Sequence, residues 1–129
     1  MSRVLIIIAI AVVLSGCAGA DTTGARQSAT AFAEAVSAAD GQRACALLSD
    51  EVSAQLSESA KTSCAQALLT EDLPAPSPVR RAQRYGHQVL VTTGTDTLFL
   101  SEFPDGWKII AAGCVPHTDK PYDCAVSKG

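Results

Sequence analysis

Residues 73–113 read LPAPSPVRRAQRYGHQVLVTTGTDTLFLSEFPDGWKIIAAG, a stretch that divides a helical half of the chain from a half built of strands. Pro74, Pro76 and Pro78 forbid helix, because proline lacks the backbone N–H and clashes with the preceding turn. After Pro78 the grammar is that of strands. Residues 79–85, 88–93, 97–103 and 107–113 are each of strand length. Gly86-His87, Gly94-Thr95 and Pro104-Asp105-Gly106 separate them. Glycine at the first central position suits a II′ hairpin, and Asp-Gly suits a I′ turn or a bulged loop. Four short strands joined by tight turns predict an antiparallel meander.

Upstream of Leu73 the pattern is helical. Ala29, Phe32, Ala33, Val36 and Ala39 recur at helical spacing within residues 24–39, and Gly41 is expected to end that helix. A short second helix carries Ala44, Cys45, Leu47 and Leu48. Ser49 reads as the next N-cap, with Asp50 and Glu51 where the helix dipole favours acids. Val52 and Leu56 continue one face, and residues 60–69 add further helical turns. Helices followed by a meander define an α+β class, with helices covering one face of the sheet. There are no internal repeats and no coiled coil.

The first residues follow another logic. Arg3 supplies a positive start, and residues 4–14 form an unbroken apolar run. A mature membrane helix needs about 20 apolar residues, so this run fits the core of a secretory signal. Leu14-Ser15-Gly16-Cys17 follows. Leucine, two small residues and cysteine resemble the lipobox of bacterial lipoproteins. That resemblance implies a diacylglyceryl group on the Cys17 thiol, cleavage between Gly16 and Cys17, and frequent acylation of the new amino terminus. Two or more acyl chains give stable anchoring, where one is marginal. The expected organisation is a signal peptide at 1–16, a lipidated cysteine and tether at 17–23, and one α+β domain at 24–129. The expected location is the extracytoplasmic side of a cell membrane. Residues 18–23 reach about 20 Å when fully extended, so the domain would sit close to the bilayer.

Without Arg3, ten basic residues become nine, against 13 acidic, a formal charge of −4. The cluster Arg80, Arg81, Arg84 has no aromatic interleaving and no nucleic-acid motif, so it reads as a solvated strand face and excludes nucleic acid as a partner. Export places Cys45, Cys64, Cys114 and Cys124 in an oxidising compartment, where an even number reads as two disulfides. Three connectivities are possible. Cys45–Cys64 with Cys114–Cys124 is preferred: the first two share helix faces with Leu48 and Leu68, and the second two close a short loop rich in turn residues. The competing reading is zinc on Cys114, His117 and Cys124 with Asp119 or Asp123, which oxidation of the thiols would abolish. No metal and no cofactor is therefore expected.

Further residues carry a family likeness. Ala44-Cys45-Ala46-Leu47-Leu48, Cys64, Asp96-Thr97-Leu98-Phe99-Leu100, Gly106-Trp107-Lys108-Ile109, Ala111-Ala112-Gly113-Cys114 and Pro121-Tyr122-Asp123-Cys124 together resemble small lipoproteins of high-GC bacteria with a domain of no assigned function. Those are similar to a pared-down cystatin-like cone, the fold shared with ketosteroid isomerase and nuclear-transport-factor-like proteins. The likeness covers residues 28–126. It implies a long helix packed in the concavity of a curved sheet, with both disulfides retained. It implies no reaction, and no catalytic position of the isomerases maps onto this chain.

Trp107, Tyr85, Tyr122 and Glu102 are the candidate pocket residues. Trp107 anchors a hairpin or offers a stacking wall. Glu102 is a base candidate if its side faces the cone interior. His87 reads as a solvated turn residue, and Asp96 as part of the Gly94-Thr95-Asp96 turn. His117 near Asp119 and Asp123 could do acid–base work, but no nucleophile motif accompanies it. There is no phosphate loop, no zinc-protease helix and no calcium loop. Three Phe, two Tyr and one Trp leave little material to line a large pocket. The expected function is a non-catalytic, lipid-anchored domain that contacts another envelope protein. A small-molecule or lipid-binding cone is the first alternative, and an enzyme with an unidentified site the second.

Overall fold

Four helices precede five strands in the computed structural model, which describes residues 21–128. The expected signal segment at 1–16, the expected cleavage between Gly16 and Cys17 and the expected lipidation of Cys17 fall outside those residues. The helices are α1 (Thr23–Ser37), α2 (Gly41–Ala46), α3 (Asp50–Ala60) and α4 (Cys64–Thr70). The strands are β1 (Val79–Tyr85), β2 (Gln88–Thr93), β3 (Thr97–Phe103), β4 (Gly106–Pro116) and β5 (Tyr122–Ser127). They form one antiparallel sheet in chain order. The class is α+β, and the meander has five strands where four were expected.

The missed strand has a physical explanation. Between Pro116 and Tyr122 the residues favour turns, and only Val126 of β5 is buried. Its own pattern is too thin to announce a strand. Pairing with β4 makes it one, in the register Cys114↔Cys124 and Ala112↔Val126. β4 is longer than its apolar run for the same reason. Its pairing with β3 shifts register between Phe99 and Leu100, which lets Ile109 and Ala112 both face the core.

Helix ends follow local chemistry. Ser49 Oγ accepts from the Val52 N–H and Ser63 Oγ from the Gln66 N–H, each a side-chain cap. Ser63 opens α4 after a break at Lys61, whose φ of 56° is left-handed, so residues 60–69 are not one helix. Gly41 does not end α1. That helix stops at Ser37, Ala39 takes the left-handed conformation at φ 53°, and Gly41 opens α2 with Asp40 as cap. Gly41 is buried, and a Cβ there would collide with the carbonyl of Ala65 in α4. The close approach of α2 to α4 therefore needs glycine.

One core joins the layers. α1 contributes Ala25, Ala29, Phe32 and Ala35, and it lies across β1 to β4. The facing sheet side contributes Val89, Val91, Leu98, Leu100, Ile109, Ala112 and Val126. The alternation of β2 and β3 sends these residues to one side and leaves Leu90 and Phe99 half-buried on the other. The short run after α2 also reaches the sheet. Leu48 bridges Ile109 in parallel: the Ile109 N–H donates to Leu47 O at 2.8 Å, and the Ser49 N–H to Ile109 O at 3.0 Å.

The disulfides are Cys45–Cys64, tying α2 to α4, and Cys114–Cys124, tying β4 to β5. They span sequence separations of 19 and 10, and each should contribute about 3 kcal/mol through loop entropy. The double variant Cys45→Ala/Cys64→Ala is expected to lose about that much in denaturant melts, and Cys114→Ala/Cys124→Ala slightly less. Gly41→Ala should destabilise by roughly 1–3 kcal/mol in the same assay, because backbone of α4 has to move. An unchanged melt for Gly41→Ala would show that α2 and α4 are not so closely packed.

Candidate functional site

After α4 the chain runs extended through residues 73–78 beside the sheet. Its prolines cannot donate to a ladder, so the segment is held by side chains instead. The Thr95 hydroxyl donates to the Ala75 carbonyl at 2.5 Å, and Ser77 Oγ lies 3.1 Å from Thr95 Oγ1. Thr95 is itself positioned by the turn between β2 and β3. There Thr93 Oγ1 accepts from the N–H groups of Thr95 and Asp96, at 3.2 and 2.8 Å.

Between this proline strap and the second half of α1 lies a cleft of about 250 Å³. Ala29, Phe32, Ala33 and Val36 form the helix wall. Leu73, Pro74, Pro76 and Pro78 form the strap wall, with Val79 and Leu98 at the floor. Thr30, Glu34, Ser77, Thr95 and Asp96 give it a polar margin. Its walls are mainly hydrocarbon. A larger hollow of about 430 Å³ is lined by apolar Val52, Phe103 and Ile110 mixed with charged residues such as Asp50, Glu51 and Lys108, so it lacks the continuous hydrocarbon wall of the cleft.

Asp96 organises the margin of the cleft. One carboxylate oxygen accepts from the N–H groups of Thr97 at 2.7 Å and Cys114 at 3.2 Å, and the other from Gly113 at 3.2 Å. Gly113 is left-handed at φ +64°, and a Cβ there would sit 2.9 Å from Ala125 Cβ and 3.1 Å from Leu73 Cδ2. Glycine thus lets β4 turn its amides to Asp96 while Leu73 packs alongside. Burial pushes the Asp96 carboxyl above its usual value, outweighing the three backbone hydrogen bonds that pull it down. The turn assignment of Asp96 was legible in the sequence. Its clasp on β4 was not, since the partners are 17 and 18 residues away.

The four candidate pocket residues do not line this cleft. Trp107 and Glu102 pair across β3 and β4 at the opposite end of the sheet. Arg84 reaches them: its Nη2 is 2.7 Å from Glu102 Oε2, and its guanidinium lies 5.2 Å from the Trp107 ring centre. Arg84 Nη1 also donates to Asp21 O at 3.2 Å, and its Nε to Gly86 O at 2.8 Å. Arg84 therefore fastens the start of α1 to the hairpins and does not belong to a solvated face, whereas Arg80 and Arg81 are exposed. A Cβ on Gly24 would lie 2.5 Å from Trp107 Cδ1, so this indole packs directly on the first turn of α1. Tyr85 is exposed, with its hydroxyl 3.3 Å from Gln83 Oε1. Tyr122 stands edge-on to Phe99, ring centres 5.1 Å apart.

His87 is solvated, 3.7 Å from Glu102 Oε2. His117 Nδ1 accepts from the Asp119 backbone N–H at 3.3 Å, while Asp123 meets Lys120 at 3.3 Å, so no carboxylate orients this histidine. The zinc reading loses its ligands, because the Cys114 and Cys124 sulfurs are bonded to each other. Among the described residues no cluster of three His, Cys, Asp or Glu could hold a metal ion, and no helix is long and apolar enough to cross a membrane. The cleft itself left one sequence signal, the Leu-Pro-Ala-Pro-Ser-Pro run, which was legible only as a boundary.

Asp96 yields a pH prediction. A carboxyl raised on folding contributes stability that is fully present below its ordinary value of 3.8 and is lost as pH rises through the folded value. The stability of the wild type relative to Asp96→Asn should therefore decline from below pH 3.8 upward and level off once the carboxyl is ionised in the fold. Thermal melts of both proteins across the acid range check this; a flat difference would contradict it.

The chain matches no family model, and no curated protein or solved structure matches it.

Proposed function

We propose that the chain is the precursor of a lipid-anchored, extracytoplasmic binding domain that seats an apolar group in the cleft between α1 and the proline strap. The cleft carries this reading. At about 250 Å³ it lies just under the range of roughly 300–1,000 Å³ usual for sites that engulf a drug-sized molecule. It therefore suits the apolar part of a larger ligand, with the rest over the polar margin. Proline and alanine walls have little side-chain entropy to lose on contact, which favours a preformed site. A hydrocarbon chain meets these requirements best. An apolar side chain of an envelope protein meets them too, and would make the domain an accessory subunit.

Binding rather than turnover follows from how the acid and base candidates are engaged. Asp96 holds three backbone N–H groups, Glu102 holds Arg84, and His117 accepts from the backbone. None has the paired, cleft-facing arrangement that acid–base chemistry needs. Anchoring rests on the Leu-Ser-Gly-Cys run ending at Cys17. A cystatin-like cone is the architecture we favour, supported by α1 lying across β1 to β4 on one side of the meander.

The oxidised protein, titrated with fatty acids and phospholipids, should melt at higher temperature, since a ligand at 100 times its dissociation constant adds about 2.7 kcal/mol. Ala33→Trp places an indole in the cleft from its partly exposed helix wall. It should keep the fold and abolish the shift. A shift that survives in Ala33→Trp would move the site elsewhere; no shift with any apolar ligand would leave the accessory-subunit reading in front.

A further inference from the structure

The end of the sheet opposite the cleft has an unusual surface. Two turns meet there, 85–88 between β1 and β2 and 103–106 between β3 and β4, joined by the Glu102 N–H donating to His87 O at 2.9 Å. Tyr85 is 61% exposed and Phe103 37%. Both project from the sheet face away from α1. Tyr85 is in register with Gln88, Gln88 with Ser101, and Phe103 is two residues beyond Ser101 on β3. At the turns themselves the ionised groups are paired, Arg84 with Glu102 at 2.7 Å and Lys108 with Asp105 at 3.6 Å, while Asp50, on the hollow that Phe103 also lines, meets no cation among the described residues.

The chain also enters at this end, where Asp21 is held by Arg84. Cys17 is four residues earlier in the sequence, so Asp21 lies within about 14 Å of it even when the link is fully extended. Acyl chains on Cys17 would bring these turns to the headgroups. A tyrosine ring, polar at one end and apolar at the other, favours that interface, and the wholly apolar ring of Phe103 beside it gains by leaving water for the acyl boundary. Paired charges add little repulsion from anionic lipid and leave the attraction to the rings.

We propose that the turn end of the sheet lies against the bilayer that holds the lipid on Cys17, with Tyr85 and Phe103 at headgroup level. This rests on anchoring through Cys17. The contact fixes an orientation: the cleft, at the turn between β2 and β3, opens one strand length farther out, roughly 20 Å for seven residues of β3. A ligand then reaches the cleft from outside the anchoring bilayer.

The test is hydrogen exchange on the full lipidated protein, reconstituted in phosphatidylcholine vesicles, against the unlipidated Cys17→Ser chain in solution. Mass of the N-terminal peptide and flotation with the vesicles report anchoring separately. Amides of residues 85–88 and 103–106 should exchange on the order of tenfold more slowly in vesicles, with residues 93–96 unchanged. Tyr85→Ser/Phe103→Ser should still float and lose that protection. A protein that carries acyl chains and floats, yet shows no protection at these turns, would overturn the orientation while leaving anchoring intact. An unacylated Cys17 would remove both. Protection that disappears when the protein is diluted in the vesicles would assign the surface to a second copy and overturn the membrane contact.

Discussion

Two backbone hydrogen bonds at Ile109 connect the helical half to the sheet, and most of the architecture depends on them. β5 covers the free edge of β4 only from Ala111 onward. Below that point the edge would be open, and the residues that follow α2 take the place of a strand there, with Leu48 beside Ile109. This contact sets where α2 ends and α3 begins, since Ser49 both donates to Ile109 and caps α3. An exposed strand edge invites pairing with other chains, and the 47–49 run removes that hazard while bringing Leu48 into the core.

Small residues then determine the spacing of the layers. Ala25, Ala29 and Ala35 let α1 approach the sheet closely, and Phe32 is the one large side chain α1 commits to the core. A helix this close cannot be covered on all sides by the meander, so its second half is left to the proline strap. The strap cannot join the ladder because proline lacks the donor, and hydroxyl contacts hold it at a distance from α1. The cleft is the space between an element that packs tightly and one that cannot. Its apolar character follows from the same residues, since proline, alanine and leucine bring no polar atoms.

At the other end, Arg84 takes part in four contacts, with Glu102, Gly86, Asp21 and Trp107. Its guanidinium offers donors in several directions and a planar face, a combination lysine lacks. The two ends of the sheet thus differ in kind. One is fastened by charge pairing on the face where the chain enters and carries exposed Tyr85 and Phe103 on the other face, and the opposite end holds the apolar cleft.

Strand positions β1, β2 and β3 and the cap at Ser49 were determined by the sequence itself, because each rests on near neighbours, while the disulfide pairing was a preference among three connectivities that the structure bears out. The Leu-Ser-Gly-Cys signature at residues 14–17 is also a sequence property, independent of any fold. What depended on distant partners was decided only by the tertiary structure. β5 exists through its register with β4, Gly41 is required by a carbonyl in another helix, and Arg84 is partly buried because Trp107 and Glu102 are brought beside it. The cleft belongs to this second group. Its walls come from residues 29–36, 73–79 and 93–98, and no local pattern records that three such segments leave space between them.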